Sequence, residues 1–157
     1  LEEEVPNLIK NSVQLSFIGD LSQFEEELIT QMKNSEKLTY CDPTEKKLDL
    51  VVAASYGGRW DIVNAVNKIH KKNLNFPLTE EHFNSLLSTA PFGDPDLCIR
   101  TGNELRVSNF LLWQLAYSEL YFPDILWPDF DDNQFELALS EYSKRVRRFG
   151  DKSNFQI

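Results

Sequence analysis

The sequence predicts an α/β fold in which a mostly parallel sheet is flanked by helices. The first supporting observation is the order of its segments, because short apolar runs alternate with amphipathic runs as strand–helix–strand units do. The second is that two of the apolar runs lead directly into turns at one edge of the predicted sheet, which is where open α/β sheets bind ligands. The third is composition, since 41% of the 157 residues are hydrophobic and 26% are charged, which is ordinary for one globular domain. We therefore expect a single domain over residues 1–157.

The N-terminal third predicts two helices and two strands. Residues 1–11 have helical character, and the apolar–polar alternation of residues 13–18 predicts a strand. Ser22 is placed to cap the second helix, with Glu25 as its capping-box partner. The nearly continuous apolar run of residues 48–54 predicts a strand that is buried on both faces.

The middle of the chain predicts a glycine turn followed by two helices. This glycine turn (residues 56–59) follows the second strand directly, and residues 62–69 then place apolar side chains on one helical face. Thr79 is placed to cap a short helix that contains residues 83–87. Acidic residues in the first turn of that helix suit the positive end of its dipole.

The C-terminal third predicts two short strands and two helices. Residues 97–99 predict the end of a buried strand, residues 110–120 an amphipathic helix, and residues 121–122 one more short strand. Residues 127–130 predict a rigid aromatic turn. Residues 135–149 predict a closing helix whose basic end is either a solvated face or an anion-binding arm.

The arginine turn (residues 100–108) carries Arg100, Arg106 and Ser108. The predicted elements place these two cations and one hydroxyl between a strand end and a helix start, where open α/β sheets bind ligands. A helix N-terminus presents unpaired N–H groups and a positive dipole, which favours an anion such as phosphate. The alternative is a structural connection whose arginines pair with carboxylates, since the chain has 25 acidic and 16 basic residues.

Arg59 is a further candidate anion contact. It lies in the glycine turn, where glycine permits a close approach of the backbone to a ligand. Because both turns follow parallel strands, the glycine turn and the arginine turn could share one cleft. The alternative is a tight structural turn in which Arg59 pairs with a nearby acid such as Asp61.

Glu119 is a carboxylate within an apolar stretch, residues 113–122. On an unbroken helix from Ser108, Glu119 would lie on nearly the same face but roughly 16 Å away. The two side chains of one chain could then share a phosphate only if the helix bends, the ligand is long, or two subunits contribute. One role for Glu119 is Mg²⁺ binding, since Mg²⁺ takes carboxylate and phosphate oxygens. The other is an ion pair with an arginine.

Charge and composition limit the class of protein. A net charge of −9 argues against a general nucleic-acid binder, which needs a basic face. No apolar run reaches the length of a membrane span, and no signal peptide opens the chain. Cys41 and Cys98 lack metal-ligand spacing, so we expect reduced thiols in a cytosolic protein. Because the sequence starts with Leu1 rather than Met, we expect a fragment or a processed product.

Residues 113–122 contain more large apolar side chains than one helical face can bury. A second copy of the chain is the natural cover, so we expect a homodimer with this segment in or near its interface. The alternative is a monomer in which polypeptide outside these residues covers the segment.

Several blocks of the sequence resemble the cis-prenyltransferase family, which includes the undecaprenyl diphosphate synthases. The resemblance covers nearly the whole chain, and the blocks follow one another in the family's order. The blocks are residues 17–20, 54–59, 96–102 and 108–114, then Tyr117, Glu119, residues 121–122 and 127–130, and finally residues 148–150.

The resemblance implies an enzyme that joins isopentenyl diphosphate to an allylic diphosphate and forms a cis double bond at each step. It implies Mg²⁺ as cofactor with Glu119 as a ligand, and a homodimer in which residues 148–150 reach across the interface. It also implies a lipid product that brings a cytoplasmic enzyme into peripheral contact with a membrane. The implied substrate-binding residues are Arg100, Arg106, Val107, Ser108, Arg148 and Gly150.

The chain departs from the family pattern at positions that bear on activity. Asn103 stands where bacterial members commonly have a second glycine, Leu105 where several have His, and Ser55 where Asn is common. The family's Asp-Gly-Asn-Arg loop, with its catalytic aspartate, is absent. We therefore assign no catalytic residue, expect these residues alone to be inactive, and expect the fold to lack its first strands. A non-catalytic partner or scaffold subunit and a generic phosphate-binding α/β protein are the alternative classes.

Overall fold

The computed structural model describes residues 3–71 and 77–146, which cluster into two compact units, Leu1–Phe92 and Gly93–Ile157. Each unit contains one pair of parallel strands, accompanied by helices. The predicted parallel pairing and the flanking helices are therefore confirmed. That the two units together make one domain stays a prediction.

The first unit, Leu1–Phe92, alternates helices with two strands. Its elements are α1 (Val5–Lys10), β1 (Val13–Ile18), a 3₁₀ turn (Leu21–Gln23), α2 (Glu26–Leu38), β2 (Leu48–Ala53), α3 (Gly58–Lys71) and α4 (Glu80–Asn84). The parallel register pairs Val13 with Leu48 and Ile18 with Ala53, and α1 and α2 contact β1. Among its described residues, the buried apolar side chains are Val5, Leu15, Met32, Ala65, Ile69, Phe83, Leu86 and Leu87.

The edge of β1 opposite β2 is closed by side chains of α2 and its C-terminal end. The backbone N–H of Leu15 donates to Thr39 Oγ1 at 3.1 Å, and that of Phe17 donates to Glu36 Oε1 at 2.8 Å. Thr39 is fully buried, and its hydroxyl donates to the Ser35 carbonyl at 2.8 Å. These bonds satisfy strand N–H groups that would otherwise need another strand. This edge of β1 therefore needs no further strand to pair with it.

The second unit, Gly93–Ile157, is built on a shorter parallel pair. Its described elements are β3 (Leu97–Ile99), a 3₁₀ turn (Gln114–Tyr117), β4 (Glu119–Tyr121), a second 3₁₀ turn (Trp127–Asp129) and α5 (Asp132–Ser143). The register pairs Leu97 with Glu119 and Ile99 with Tyr121. The helix α5 contacts β4, so the basic end of α5 belongs to the same unit as Glu119.

The predicted helix over residues 110–120 is wrong. Ser108, Asn109 and Leu111 have positive φ values of 43°, 63° and 44°, respectively, a left-handed backbone that cannot continue into a right-handed helix. A four-residue 3₁₀ turn and then β4 follow instead. The short strand predicted at residues 121–122 is therefore β4, which begins two residues earlier, at Glu119.

Two expectations about helix starts have opposite outcomes. The predicted cap by Ser22 is wrong, because the Ser22 hydroxyl donates to Asp20 at 2.6 Å and α2 begins after Glu25 without a side-chain cap. That bond lowers the pKa of the Asp20 carboxyl, with a smaller contribution from Gln23. The predicted cap by Thr79 is confirmed, since its hydroxyl accepts from the His82 backbone at 3.2 Å.

The expectation that β2 is buried on both faces is also wrong. Leu48, Leu50 and Val52 alternate along β2 and are 56%, 40% and 38% exposed. Alternate residues of a strand lie on one face, so one apolar face of β2 is partly exposed among the described residues of the first unit. None of the helices in the described part of the chain combines the length and the apolar character needed to cross a membrane.

Candidate functional site

The beginning of the arginine turn is fixed to the last residue of β4 and to the polypeptide just after it. The Arg100 backbone N–H donates to the Tyr121 carbonyl at 2.9 Å, and the Gly102 N–H donates to the Ile125 carbonyl at 2.8 Å. Gly102 has a φ of 89°, a conformation that suits glycine. Arg100 is half-buried. Partial burial raises the pKa of the neighbouring Cys98 thiol, and the positive charge of Arg100 opposes that effect.

The middle of the arginine turn is exposed. The Arg106 guanidinium lies 2.7 Å from a carboxylate oxygen of Glu104, and the Arg106 side chain is 68% exposed. At Arg106, the structure therefore shows the alternative to an anion site that the sequence left open, which is an ion pair with a nearby carboxylate. Exposed pairs of this kind contribute only about 0–1 kcal/mol. An incoming anion can displace Glu104 at little cost.

The end of the arginine turn is a tight loop rather than a helix start. The Phe110 N–H donates to the Val107 carbonyl at 3.0 Å, and Ser108 is exposed with its backbone in the left-handed region. Because no α-helix begins here, the dipole argument for an anion does not apply. What remains is the chemistry of two arginines and a hydroxyl. Convergence of Arg100, Arg106 and Ser108 on one anion stays a prediction.

Glu119 is the first residue of β4 and is paired with Arg145. The Arg145 Nη1 lies 2.8 Å from Glu119 Oε2, and the same nitrogen donates to the Leu120 carbonyl at 2.9 Å. The Glu119 and Arg145 side chains are 29% and 33% exposed, respectively. Of the two roles predicted for Glu119, the ion pair with an arginine is observed. Because Glu119 lies on a strand, the helical separation of roughly 16 Å from Ser108 does not apply.

Glu119 is compatible with a metal ion that takes most of its coordinating oxygens from a bound substrate and from water. In residues 3–71 and 77–146, no three His, Cys, Asp or Glu side chains cluster closely enough to hold a metal ion. Glu119 offers one hard oxygen ligand. Mg²⁺ commonly uses one or two carboxylates and completes its shell with phosphate oxygens and water. A carboxylate in the same unit as the arginine turn is compatible with that arrangement.

The glycine turn lies in the other unit and is held by a buried acid. Asp61 is 1% exposed. Its carboxylate accepts from the Tyr56 hydroxyl at 3.0 Å and from the Ser88 backbone at 2.9 Å. Tyr56 also packs edge-on against Trp60, with ring centroids 6.3 Å apart. Arg59 is exposed, and its pairing with Asp61 and a cleft shared with the arginine turn both stay predictions.

Two residues of structural weight were not assigned these partners from the sequence. From the sequence, Asp61 was predicted only as a possible partner of Arg59. In the structure, its carboxylate joins Tyr56 of the glycine turn to the backbone of Ser88. Arg145 was one of several cations in a basic run, yet it contacts Glu119.

Arg148 and Gly150, which the resemblance adds to the substrate site, lie outside the described residues. Cys41 and Cys98 are both free thiols.

Sequence comparison finds the same family that the blocks of residues indicate. The family model Prenyltransf (undecaprenyl diphosphate synthase) matches residues 1–150. The ditrans,polycis-undecaprenyl-diphosphate synthase ((2E,6E)-farnesyl-diphosphate specific) of Yersinia pseudotuberculosis is 48% identical over 155 residues, and an isoprenyl transferase of Nitrosomonas europaea is 47% identical over 152 residues. Each alignment covers 96% of this chain but only 60% and 57% of those two relatives, so the chain spans less than two thirds of their length.

Solved structures of related synthases have the same fold. The lavandulyl diphosphate synthase of Lavandula x intermedia, solved with dimethylallyl diphosphate, superposes with a TM-score of 0.88 at 36% identity, over 96% of this chain and 66% of that one. A probable undecaprenyl diphosphate synthase of Campylobacter jejuni superposes with a TM-score of 0.83 at 36% identity, over 96% of this chain and 69% of that one. The chain therefore belongs to the Prenyltransf family of undecaprenyl diphosphate synthases and related cis-prenyltransferases.

Proposed function

We propose that the protein containing this chain condenses isopentenyl diphosphate with an allylic diphosphate and releases a polyprenyl diphosphate with cis double bonds. The observation that carries this proposal is the match of 96% of the chain to curated prenyl diphosphate synthases. At each addition a carbon–carbon bond forms to the allylic carbon while the bond from that carbon to its diphosphate oxygen breaks. Inorganic diphosphate leaves with the electron pair, and the isopentenyl unit loses a proton as its double bond moves. The dimethylallyl diphosphate bound to one solved relative supports an allylic co-substrate.

The arginine turn binds the diphosphate of isopentenyl diphosphate in this proposal. Arg106 exchanges the partly exposed Glu104 carboxylate for the more highly charged diphosphate, and the Ser108 hydroxyl donates to a phosphate oxygen. Arg100 contributes a half-buried charge from the end of β3, and Val107 shapes the loop through its carbonyl bond to Phe110. Arg148 and Gly150 contribute further contacts from the C-terminal segment.

Mg²⁺ is the cofactor in this proposal, and Glu119 is the residue of this chain that would bind it. When bound, Mg²⁺ neutralises charge on the substrate diphosphate. The role of Glu119 is to supply one carboxylate oxygen, and the remaining ligands come from phosphate, from water and from polypeptide outside these residues. The chain alone is expected not to elongate a prenyl chain, because the family's catalytic aspartate loop is not among its residues.

A homodimer is part of the proposal. Around the segment of residues 113–122, Phe110, Leu112 and Tyr117 are 41%, 38% and 68% exposed. Exposed apolar side chains at this density favour a partner surface. A cytoplasmic enzyme that its lipid product brings into peripheral contact with a membrane is also part of the proposal, and it rests on the family alone. Light scattering tests the assembly: a monomeric mass for an active enzyme at micromolar concentration would remove the dimer from the proposal.

The proposed reaction is tested with a complete enzyme that contains this chain. Incubation with farnesyl diphosphate, isopentenyl diphosphate and Mg²⁺ should yield a polyprenyl diphosphate, and omission of Mg²⁺ should abolish it. A scaffold subunit would form no product without a second protein. A generic phosphate-binding protein would form none and would bind inorganic diphosphate as tightly as isopentenyl diphosphate. Either result would contradict the proposal.

A further inference from the structure

Arg145 makes an unusual pair of contacts for a residue at the exposed end of a helix. It lies two residues beyond α5, and a single guanidinium nitrogen contacts both the Glu119 carboxylate at 2.8 Å and the Leu120 carbonyl at 2.9 Å. Both partners are on β4, which is 25 or 26 residues away in sequence. Only about a third of each charged side chain is exposed, at 33% for Arg145 and 29% for Glu119.

The neighbouring cation behaves differently and provides a matched comparison. Lys144 pairs at 2.6 Å with Glu141, one turn earlier in the same helix, and these side chains are 64% and 49% exposed. Such a local, solvated pair contributes little to structure. Arg145 therefore differs from Lys144 in that it fixes a strand residue rather than its own helix.

The contact constrains how Glu119 can be used. Arg145 contacts Oε2 of the carboxylate, and among the described residues no further hydrogen bond or ion pair to Glu119 Oε1 is present. An unrestrained glutamate has several rotamers. When one oxygen accepts from a guanidinium that is itself held by the Leu120 carbonyl, the other oxygen is left in a defined direction. Residues that orient a metal ligand from behind in this way commonly determine metal affinity.

We infer that Arg145 is a positioning residue for Glu119, acting through Oε2 so that Oε1 is presented to the Mg²⁺ of the substrate complex. This inference rests on the proposed function, which assigns the cation to Glu119. Arg145 touches neither substrate nor metal. Because Arg145 lies three residues before Arg148 in sequence, the same contact also ties the start of the C-terminal segment to β4.

The test compares Arg145→Met and Arg145→Lys with the control Lys144→Met in the complete enzyme. Two quantities are measured: the Mg²⁺ concentration for half-maximal activity, and the Mg²⁺ affinity by calorimetry in the presence of isopentenyl diphosphate. Arg145→Met should weaken both by roughly 10-fold or more. Arg145→Lys, which keeps a charge but loses the planar fork, should recover part of the affinity. Lys144→Met should change both by less than about 2-fold.

A double variant identifies the route of the effect. If Arg145 acts through Glu119, Arg145→Met added to Glu119→Gln should weaken Mg²⁺ binding little beyond Glu119→Gln alone. A full additional loss would overturn the inference, as would Mg²⁺ binding in Arg145→Met and Arg145→Lys that equals or exceeds that of the wild type. Thermal unfolding of Arg145→Lys separates these outcomes from misfolding. A wild-type enzyme that forms no polyprenyl product but shows this pattern of Mg²⁺ affinities would refute the proposed reaction and leave the positioning role in place.

Discussion

The two turns that follow parallel strands are fixed in opposite ways. In the glycine turn, a carboxylate that is 1% exposed accepts hydrogen bonds from the Tyr56 hydroxyl and the Ser88 backbone. In the middle of the arginine turn, Leu105 is 81% exposed, and the ion pair of Arg106 within the described residues is with the partly exposed Glu104. Buried hydrogen bonds contribute to folding because their loss leaves polar groups unsatisfied. Exposed charged groups contribute little to folding and stay accessible to a ligand, so we expect the glycine turn to serve folding and the arginine turn to serve binding.

Left-handed backbone is more frequent around the arginine turn than around the glycine turn, where Ser55, just before the turn, has a φ of 47°. Asn103, Ser108, Asn109 and Leu111 in or just after the arginine turn all have positive φ. Left-handed conformations cost a non-glycine residue about 1–2 kcal/mol, and such strained residues concentrate at ligand sites. In the glycine turn, Gly57 and Gly58 are buried and lead directly into α3. We therefore expect substitutions in the glycine turn to change stability and those in the arginine turn to change ligand binding.

The largest expected effect on folding is that of Asp61→Ala. Its removal leaves the Tyr56 hydroxyl and the Ser88 N–H without this acceptor, which should lower the free energy of unfolding by roughly 2–5 kcal/mol. Urea denaturation followed by circular dichroism measures the change. Asp61→Asn, which keeps one acceptor oxygen, should lose less than Asp61→Ala. If Asp61→Ala were as stable as the wild type, the glycine turn would not be fixed in the way described.

A smaller effect is expected at Asn103, where φ is 58°. Asn103→Val should destabilise the protein by about 1–2 kcal/mol, because a β-branched side chain disfavours the left-handed region. Asn103→Gly should be neutral or stabilising by less than about 1 kcal/mol. The same urea titration measures both, and a Val variant as stable as the Gly variant would show that this backbone conformation does not constrain the turn.

The smallest effect on folding is expected for Arg106→Ala. An exposed ion pair with Glu104 should contribute less than about 0.5 kcal/mol to the free energy of unfolding. Differential scanning calorimetry provides the check, with Leu105→Ala as the neighbouring control. A loss comparable to that of Asp61→Ala would make the arginine turn a structural element and erase the contrast between the two turns.

Local patterns were sufficient to predict the first unit more fully than the second. The alternation of residues 13–18 predicts β1, and Thr79 predicts the start of α4, because each depends on neighbouring residues. The prediction of a helix over residues 110–120 was wrong because local patterns there do not distinguish between two structures. The apolar side chains there suit an irregular loop that ends in a strand equally well, and three left-handed residues exclude the helix.

The contacts that define the sites could not be read from the sequence. Asp61 reaches Ser88 across 27 residues, and Arg145 reaches Glu119 across 26. Only the folded chain decides which of several nearby cations pairs with which acid. The arginine turn could be proposed as a site from the sequence because Arg100, Arg106 and Ser108 lie within nine residues and match a family block, and its role as an anion site stays a prediction. The match of the family model over residues 1–150 confirms the family.

The most direct test of the arginine turn is the Michaelis constant for isopentenyl diphosphate in a complete enzyme that carries Arg106→Ala. Loss of one charge-assisted contact should cost roughly 1.5–3 kcal/mol of diphosphate affinity. The constant should therefore rise by about 10-fold or more, while the melting temperature stays that of the wild type and Leu105→Ala leaves both unchanged. An unchanged Michaelis constant and an unchanged turnover number in Arg106→Ala would contradict the assignment of this turn as the diphosphate site.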